Sequence, residues 1–149
     1  MADKLQFELV SPEKLLLSEQ VGMVVVPGTE GNFGVLPGHA LLISTVRPGV
    51  IDVYEDTTVT ERIFVAGGFA EVTAERCTVL ADEAVPVSSL DRGEIEAEAK
   101  ATESTIAGLR DQAQRLTGAE RDESLGKLRA LERQLVVAAA KLTALGAAH

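Results

Sequence analysis

The side chains that could do chemistry in this sequence are few, and they form no catalytic pattern. Two histidines, His39 and His149, and one cysteine, Cys77, are too few for a convincing metal site. No nucleophile-elbow motif surrounds any serine. Cys77 lies in an alternation of apolar residues, which predicts a buried and unreactive thiol. These features disfavour a hydrolase or a nucleotide-binding enzyme.

The most distinctive stretch runs from Val26 to His39 and contains four glycines and two prolines in fourteen residues. Glycine reaches positive φ without steric cost and proline fixes φ, so this composition predicts a shaped loop between strands. Glu30, Asn32, Phe33 and His39 give this loop a carboxylate, an amide, an aromatic ring and an imidazole. Two interpretations stay open from the residues alone: an irregular turn in a β domain, or a surface that another protein binds. For His39, a hydrogen bond to the backbone is favoured over a ligand or base role.

Composition divides the chain near residues 86–90. Residues 1–87 hold all five prolines and all four phenylalanines, whereas residues 88–149 hold neither and are rich in Ala, Glu, Leu and Arg. The net charge of -9, without a visible basic patch, argues against nucleic-acid binding. No apolar run predicts a secretion signal or a membrane helix, so we expect any link to a membrane to go through a partner.

Residues 1–87 predict an antiparallel β-sandwich or flattened barrel. Eight to ten short apolar or alternating segments follow one another closely, separated by Gly and Pro. The segment Lys4–Val10 is typical of a half-buried strand, because its apolar and polar residues alternate. Gly67-Gly68 lies between two predicted strands and indicates a hairpin turn or a bulge.

Residues 88–149 predict an antiparallel two-helix hairpin, so the whole chain is expected to be an α+β protein in two parts. Ser88-Ser89 is the predicted N-cap signal of the first helix, and Thr117-Gly118 separates the two helices. Each helix should contain about 25 residues. A stripe of apolar or small residues steps by three and four along each helix. The stripes are Ile95, Ala99, Thr102, Ile106, Leu109, Ala113 and Leu116, then Leu125, Leu128, Leu131, Leu135, Ala138, Leu142 and Leu145.

The first stripe is light, because Ala99, Thr102 and Ala113 fill three of its seven places. Each missing methylene forfeits about 0.8 kcal/mol of burial energy. We therefore hypothesise that the hairpin is mobile and has a partner elsewhere. The alternative is an ordinary stable hairpin with a solvated outer face.

Charged residues in the helices suggest local ion pairs and one further cluster. The favoured i,i+4 pairs are Glu96–Lys100, Asp111–Arg115 and Glu123–Lys127. Arg129 and Arg133 also stand four residues apart, where like charges repel slightly. Neutralisation by Glu132 and solvent is the favoured interpretation, and an anion site is the other.

Five segments of the chain together resemble the ε subunit of bacterial F-type ATP synthase, whose mitochondrial counterpart is called δ. They are Phe-Glu-Leu-Val-Ser-Pro-Glu at 7–13, Gly-Thr-Glu-Gly-Asn-Phe-Gly-Val-Leu-Pro-Gly-His-Ala at 28–40, Arg-Pro-Gly at 47–49, Ala-Gly-Gly-Phe-Ala-Glu-Val at 66–72 and Val-Leu-Ala-Asp at 79–82. The resemblance covers the whole chain in order and is most specific through about residue 85. It implies a β-sandwich followed by a helical hairpin, and a rotor subunit that is not itself an enzyme.

The same resemblance implies partners and interface residues. The β domain would bind the central γ subunit and the ring of c subunits, and so couple proton-driven ring rotation to ATP synthesis. The ring-facing residues would be Gly28, Thr29, Glu30, Gly31, Asn32 and Phe33, and the γ-facing residues His39, Ala40 and Leu41. The hairpin would touch the α and β subunits transiently and regulate ATP hydrolysis. The implied location is peripheral, at the cytoplasmic face of the bacterial inner membrane, with membrane contact only through the Fo sector.

Some members of the family bind ATP in the folded hairpin, and Asp91, Arg129 and Arg133 match that site in part. The family signature Ile/Leu-Asp-x-x-Arg-Ala reads Leu-Asp-Arg-Gly-Glu-Ile at 90–95. Glu94 therefore replaces the motif arginine, and a carboxylate stands where a phosphate would lie. This departure predicts weak or no ATP binding, so no cofactor is expected.

From the residues alone, a second class of function stays open beside the rotor subunit. A β-sandwich with a coiled-coil arm is also typical of a free-standing interaction module, such as an adaptor or chaperone. Co-purification with a membrane-extracted, ATP-hydrolysing complex would favour the rotor subunit.

Overall fold

The computed structural model describes residues 4–147, and the chain divides into two compact units between Ser89 and Leu90. The predicted boundary was placed after residue 87. Residues 1–3 and 148–149, which include His149, lie outside the described residues. We call the part up to Ser89 the β unit and the part from Leu90 the helical unit. Within residues 4–147, no helix is long and apolar enough to cross a bilayer.

In its described residues, the β unit contains ten strands and ends in a 3-10 turn, Val87–Ser89. The strands are β1 (Leu5–Val10), β2 (Leu15–Val21), β3 (Met23–Gly28), β4 (Gly31–Val35), β5 (Leu42–Val46), β6 (Gly49–Glu55), β7 (Thr58–Val65), β8 (Gly68–Val72), β9 (Arg76–Ala81) and β10 (Ala84–Pro86). Alternation explains β1 directly, since Leu5, Phe7 and Leu9 are buried and the residues between them are half-buried.

The strands follow the order β10-β7-β6-β3-β5-β8-β9-β1-β2, and β4 pairs with β3. Strands β3 and β5 share one residue pair, Gly28 with Val46, so the sheet is nearly divided there into two halves. Buried residues from both halves, such as Phe7 and Ile51, join one apolar core. The predicted sandwich is confirmed, with one parallel pair, β1–β9. This pair can be parallel because the two strands are distant in sequence and no tight turn joins them.

The prediction that residues 26–39 form only a shaped loop is wrong. Strand β3 continues through Gly28, and β4 pairs back on it in register, with Val26 opposite Phe33. Pro27 has no amide hydrogen to donate to a neighbouring strand. It fits in β3 because β6 pairs only with the earlier residues Met23–Val25, so β6 needs no hydrogen bond from residue 27. We call residues 23–35 the β3–β4 hairpin.

Gly67-Gly68 does not form the predicted hairpin turn between its flanking strands. Strand β7 pairs with β6 and β10, whereas β8 pairs with β5 and β9. The two glycines therefore carry the chain from one half of the sheet to the other. Both have positive φ, 121° and 145°, and a Cβ on Gly68 would lie 1.9 Å from the Leu80 carbonyl oxygen. Only glycine fits at this crossing.

The helical unit consists of α1 (Arg92–Ala113, 22 residues) and α2 (Gly118–Ala147, 30 residues), which confirms the predicted hairpin. The N-cap of α1 is Asp91, whose carboxylate accepts a 3.1 Å hydrogen bond from the Glu94 amide. The prediction of Ser88-Ser89 as the N-cap is wrong, because both serines lie within the 3-10 turn. Aspartate is as good a cap as serine and stands next to the first helical residue.

The predicted stripes form the contact between the helices. Every stripe residue is buried or half-buried, and Ile106 and Ala113 of α1 pack with Leu128 of α2 in one apolar cluster. The salt bridge from Arg110 to Glu132, at 3.2 Å, links the helices beside this cluster. The α2 contact is broader than predicted, since residues outside its stripe, such as Ser124, are also buried.

Ion pairs on the helices follow the predictions only in part. Asp111–Arg115 and Glu123–Lys127 form, at 3.3 Å and 3.8 Å. Glu96 pairs with Arg92 at 3.9 Å, so the predicted Glu96–Lys100 pair is replaced by one in the preceding turn. The Glu132 carboxylate is engaged by Arg110 across the hairpin.

A cluster of carboxylates in the β unit gives a testable pH dependence. Partial burial, the charge of Glu61, a hydrogen bond with Glu61 and the charge of Glu55 together raise the pKa of Glu19. Lys4 forms an ion pair with Glu55 beside this cluster. Ionised Glu19 therefore opposes folding, and this cost grows as the pH rises through its raised folded-state pKa.

We expect Glu19→Gln to raise the free energy of unfolding at pH 7 by less than about 1 kcal/mol, because the group is largely solvated. The gain should vanish below about pH 4, the usual pKa of a glutamate, where Glu19 is neutral in both states. Urea unfolding of both proteins across this pH range is the measurement. Glu13→Gln, at an exposed position in the β1–β2 turn, is the control. An equal gain at pH 4 and pH 7 would contradict the expectation.

Candidate functional site

The tip of the β3–β4 hairpin is a tight turn fixed by its own backbone and by β5. Thr29 and Glu30 form the turn, and Gly31 follows with φ of 136°. The Thr29 amide donates to the Thr45 carbonyl at 3.1 Å, and the two threonine hydroxyls are 2.7 Å apart. The tip is therefore attached to β5 even though β3 and β5 share only one residue pair.

Packing inside the hairpin explains two of the predicted ring-facing residues. Gly28 is buried, and a Cβ there would lie 2.8 Å from the Gly31 carbonyl oxygen and 2.9 Å from the Phe33 ring. The Phe33 ring therefore lies directly against the Gly28 backbone and contacts the main core. Both residues shape the hairpin from within.

Arg47, in the β5–β6 connection, binds the same hairpin from the other side. Its guanidinium donates to the Gly28 carbonyl and, at 2.6 Å, to Asn32 Oδ1. Its amide donates to the Pro27 carbonyl at 2.9 Å. Arg47 was not among the site residues predicted from the sequence. The sequence feature that could have indicated Arg47 is the segment Arg-Pro-Gly at 47–49, but this segment was used only as part of the family resemblance.

Glu30 is the exception among the predicted ring-facing residues. Gly28, Thr29, Asn32 and Phe33 have the contacts described above, and Gly31 has the positive φ of the turn. Within residues 4–147, the Glu30 carboxylate makes no hydrogen bond or ion pair, and the side chain is exposed. The hairpin thus presents one negative charge at a fixed tip.

The predicted γ-facing residues lie together in the β4–β5 connection. His39 Nδ1 donates a 2.7 Å hydrogen bond to the carbonyl of Ala40, as expected for a backbone-bonded histidine. The His39 amide donates to the Leu36 carbonyl at 3.1 Å. Leu41, the last of the three, is 81% exposed.

Leu41 is part of a larger exposed apolar surface that the sequence analysis did not identify. Ile43 on β5 is 77% exposed and Phe69 on β8 is 56% exposed. Cross-strand pairing continues this surface from Phe69 to Leu80 on β9, which is 44% exposed, and from Leu80 to the half-buried Val10 on β1. Neighbouring residues such as Ala70 and Val79 face the core instead. We call Val10, Leu41, Ile43, Phe69 and Leu80 the outer apolar patch.

Comparison with known proteins gives the family. The profile described as ATP synthase, Delta/Epsilon chain, beta-sandwich domain matches residues 4–87. The ATP synthase epsilon chain of Rhodospirillum centenum is 58% identical over 144 residues, which cover 95% of this chain and 92% of that protein. The chain belongs to the ATP synthase delta/epsilon family. The ATP synthase epsilon chain of Rhodospirillum rubrum is 54% identical over 80% of this chain and 90% of its own length.

Two solved ATP synthase structures contain chains with the same fold. A chain in the cryo-EM structure of the Euglena gracilis mitochondrial ATP synthase, with OSCP, F1 and c-ring, superposes with a TM-score of 0.67 and 25% identity. The match covers 95% of this chain and 81% of that one. A chain in the Tetrahymena thermophila mitochondrial ATP synthase central stalk and c-ring shares the fold, with a TM-score of 0.51 and 17% identity. The match covers 93% of this chain and 97% of that one.

Membership of the delta/epsilon family confirms that the chain is an accessory subunit of ATP synthase and not a catalytic one. No group of three His, Cys, Asp or Glu residues within 4–147 could hold a metal ion. Burial raises the pKa of the Cys77 thiol to about 12, so it stays protonated and unreactive at neutral pH.

The residues matched to an ATP site in the delta/epsilon family do not converge in the helical unit. Asp91 lies about five helical turns before Arg110, or roughly 28 Å along α1. Arg129 and Arg133 lie within about one turn of Glu132, which faces Arg110. Both arginines are exposed, and the Asp91 carboxylate caps α1. Weak or absent ATP binding stays a prediction.

Proposed function

We propose that this chain is a central-stalk subunit that connects the γ subunit to the ring of c subunits and so takes part in proton-driven ATP synthesis. The observation that carries the proposal is that the β unit has two different exposed surfaces. One is the outer apolar patch, and the other is the charged tip of the β3–β4 hairpin. The similar chains from Euglena and Tetrahymena, which belong to assemblies described with a c-ring, support this proposal.

The outer apolar patch is proposed as the γ-binding surface. Several large apolar side chains exposed near one another on one sheet face are typical of protein–protein interfaces. Phe69 is the largest of them, and aromatic side chains dominate the energy of such interfaces. Ile43 on β5 is the diagonal neighbour of Phe69 on β8, and the two side chains are close enough to touch. The predicted γ-facing residue Leu41 extends this patch towards His39.

The hairpin tip is proposed as the ring-binding surface. A fixed, exposed carboxylate that has no partner among residues 4–147 suits a polar or cationic loop on the binding subunit. Thr29, Gly31 and Asn32 shape the turn that carries Glu30. The hydrogen bonds that fix the backbone of the tip should favour binding, because an ordered tip loses little conformational entropy when it binds.

The helical unit is proposed as a regulatory arm that touches the α and β subunits transiently. The proposal is supported by the small residues in the α1 stripe, Ala99, Thr102 and Ala113, which bury little apolar area against α2. We further propose a peripheral location at the cytoplasmic face of the bacterial inner membrane, with membrane contact only through the c-ring.

Charge reversal at the hairpin tip tests the ring-binding surface. We expect Glu30→Lys to lower the affinity of the full-length chain for the c-ring by about tenfold, because an attraction of up to ~1 kcal/mol becomes a repulsion. Surface plasmon resonance with the detergent-solubilised ring measures this affinity, and the γ affinity of the same variant should not change.

Glu98→Lys is the matched control, since Glu98 is exposed on α1 and its reversal changes the net charge equally. Equal ring affinity for Glu30→Lys and Glu98→Lys would contradict the proposed ring contact. The loss caused by Glu30→Lys should also shrink as salt is raised, because exposed charges are screened.

A further inference from the structure

Arg47 binds both strands of the β3–β4 hairpin although it lies in a different connection of the chain. One guanidinium nitrogen reaches the Gly28 carbonyl, at the end of β3, and the other reaches Asn32 Oδ1, in β4. Its backbone amide holds the Pro27 carbonyl at 2.9 Å. Three donors from one residue therefore fix the base of the turn that carries Glu30.

We propose that Arg47 is a positioning residue that holds the hairpin tip, and with it Glu30, in the orientation needed to bind the partner. This inference rests on the proposed ring-binding function of the tip. Arg47 is half-buried, so the hairpin side of its guanidinium is partly shielded from water. Glu30 itself is exposed at the end of the turn, where it can reach a partner.

The geometry requires arginine in particular. A planar guanidinium donates through two nitrogens in a fixed fork, whereas a lysine ammonium is a single flexible point of charge. Gly28 has no side chain, and the Phe33 ring packs on its other atoms, so the carbonyl stays accessible to Arg47. Lysine at this position could keep the charge but could not hold both acceptors in the same geometry.

This inference changes the role of Asn32. Asn32 was predicted to be a direct polar contact to the ring, but its side-chain oxygen accepts a 2.6 Å hydrogen bond from Arg47. Asn32 acts on the partner through the shape of the tip. Substitutions at Arg47 and Asn32 should therefore have shared, and not additive, effects.

The first test measures order in the free full-length chain by 15N relaxation. In the parent chain, the amides of residues 29–32 should have order parameters of about 0.85, and Arg47→Lys should lower them to below about 0.6. Arg62→Lys is the matched control, because Arg62 makes a 3.7 Å ion pair with Asp52 elsewhere in the β unit. Unchanged order parameters in Arg47→Lys would overturn the proposal.

The second test measures c-ring affinity for the same variants and for Asn32→Ala. Arg47→Lys should weaken ring binding by about three- to tenfold, the cost of re-ordering the tip, and leave γ binding unchanged. Asn32→Ala should add no further loss in the Arg47→Lys background. If Asn32→Ala weakens ring binding further in that background, Asn32 contacts the ring directly. That result would overturn the proposal that Asn32 acts through its hydrogen bond with Arg47.

The two tests separate this inference from the proposed function. If Glu30→Lys leaves ring affinity unchanged, the ring-binding function fails, and with it the claim that Arg47 serves that contact. The order parameters still decide whether Arg47 holds the tip. If Glu30→Lys weakens binding and Arg47→Lys does not, the function stands and the positioning role is overturned.

Discussion

Phe69→Glu in the full-length chain is expected to weaken binding to γ by at least about 100-fold. Phe69 is 56% exposed on β8 and lies between Leu80 and Ile43 in the outer apolar patch. A carboxylate there would be buried without a partner in the complex, which costs several kcal/mol, and the aromatic contact would be lost as well. Isothermal titration calorimetry with purified γ measures the change.

The fold should survive this substitution, because the Phe69 side chain lies outside the core. The melting temperature of Phe69→Glu should therefore stay within a few degrees of the parent. Val136→Glu is the matched control, since Val136 is 58% exposed but lies on α2. If both variants bind γ as tightly as the parent chain does, the outer apolar patch is not the γ-binding surface.

Gly68→Ala is expected to destabilise the β unit by more than about 3 kcal/mol. Its φ of 145° is a conformation that alanine rarely adopts, and the new Cβ would lie 1.9 Å from the Leu80 carbonyl oxygen. Backbone strain alone costs about 1–3 kcal/mol, and relief of the overlap must move β9 as well. The urea concentration at the midpoint of unfolding measures the loss.

Gly34→Ala is the matched control for this substitution. Gly34 also lies in a strand, but its backbone has no positive φ, and its Cβ would meet only Met23 Sδ at an ordinary 3.7 Å. We expect a change within about 0.5 kcal/mol, as for most surface sites. Comparable losses for the two variants would mean that the crossing at Gly67-Gly68 tolerates a side chain.

Local patterns predicted most elements of both units, but strand β4 was taken for part of a loop. Strand β1 follows from the alternation of Leu5, Phe7 and Leu9, and the helix contact follows from the stripes at spacings of three and four. These features depend on residues close in sequence, so periodicity alone determines which face is buried. The family resemblance added the expected partners, which periodicity cannot supply.

Features made by residues distant in sequence could not be predicted in this way. The Arg47 contacts join the β5–β6 connection to the β3–β4 hairpin, and the Gly67-Gly68 crossing depends on the order of strands in the sheet. The outer apolar patch was missed for a different reason. Consecutive apolar residues around Ile43 and Leu80 suggest strands buried on both faces, whereas one face here is exposed.

If the β unit holds two partners on two separate surfaces, site-directed cross-linking in the assembled complex should assign a different partner to each surface. Cys77 is buried and its pKa is raised, so it should not react with a maleimide. Among residues 4–147, a cysteine introduced at Ile43 or Glu30 would therefore be the thiol that is labelled. A photoactivated maleimide on each variant is used in the assembled complex. We expect Ile43→Cys to cross-link to γ and Glu30→Cys to cross-link to a c subunit. Cross-links from both positions to the same subunit would contradict it.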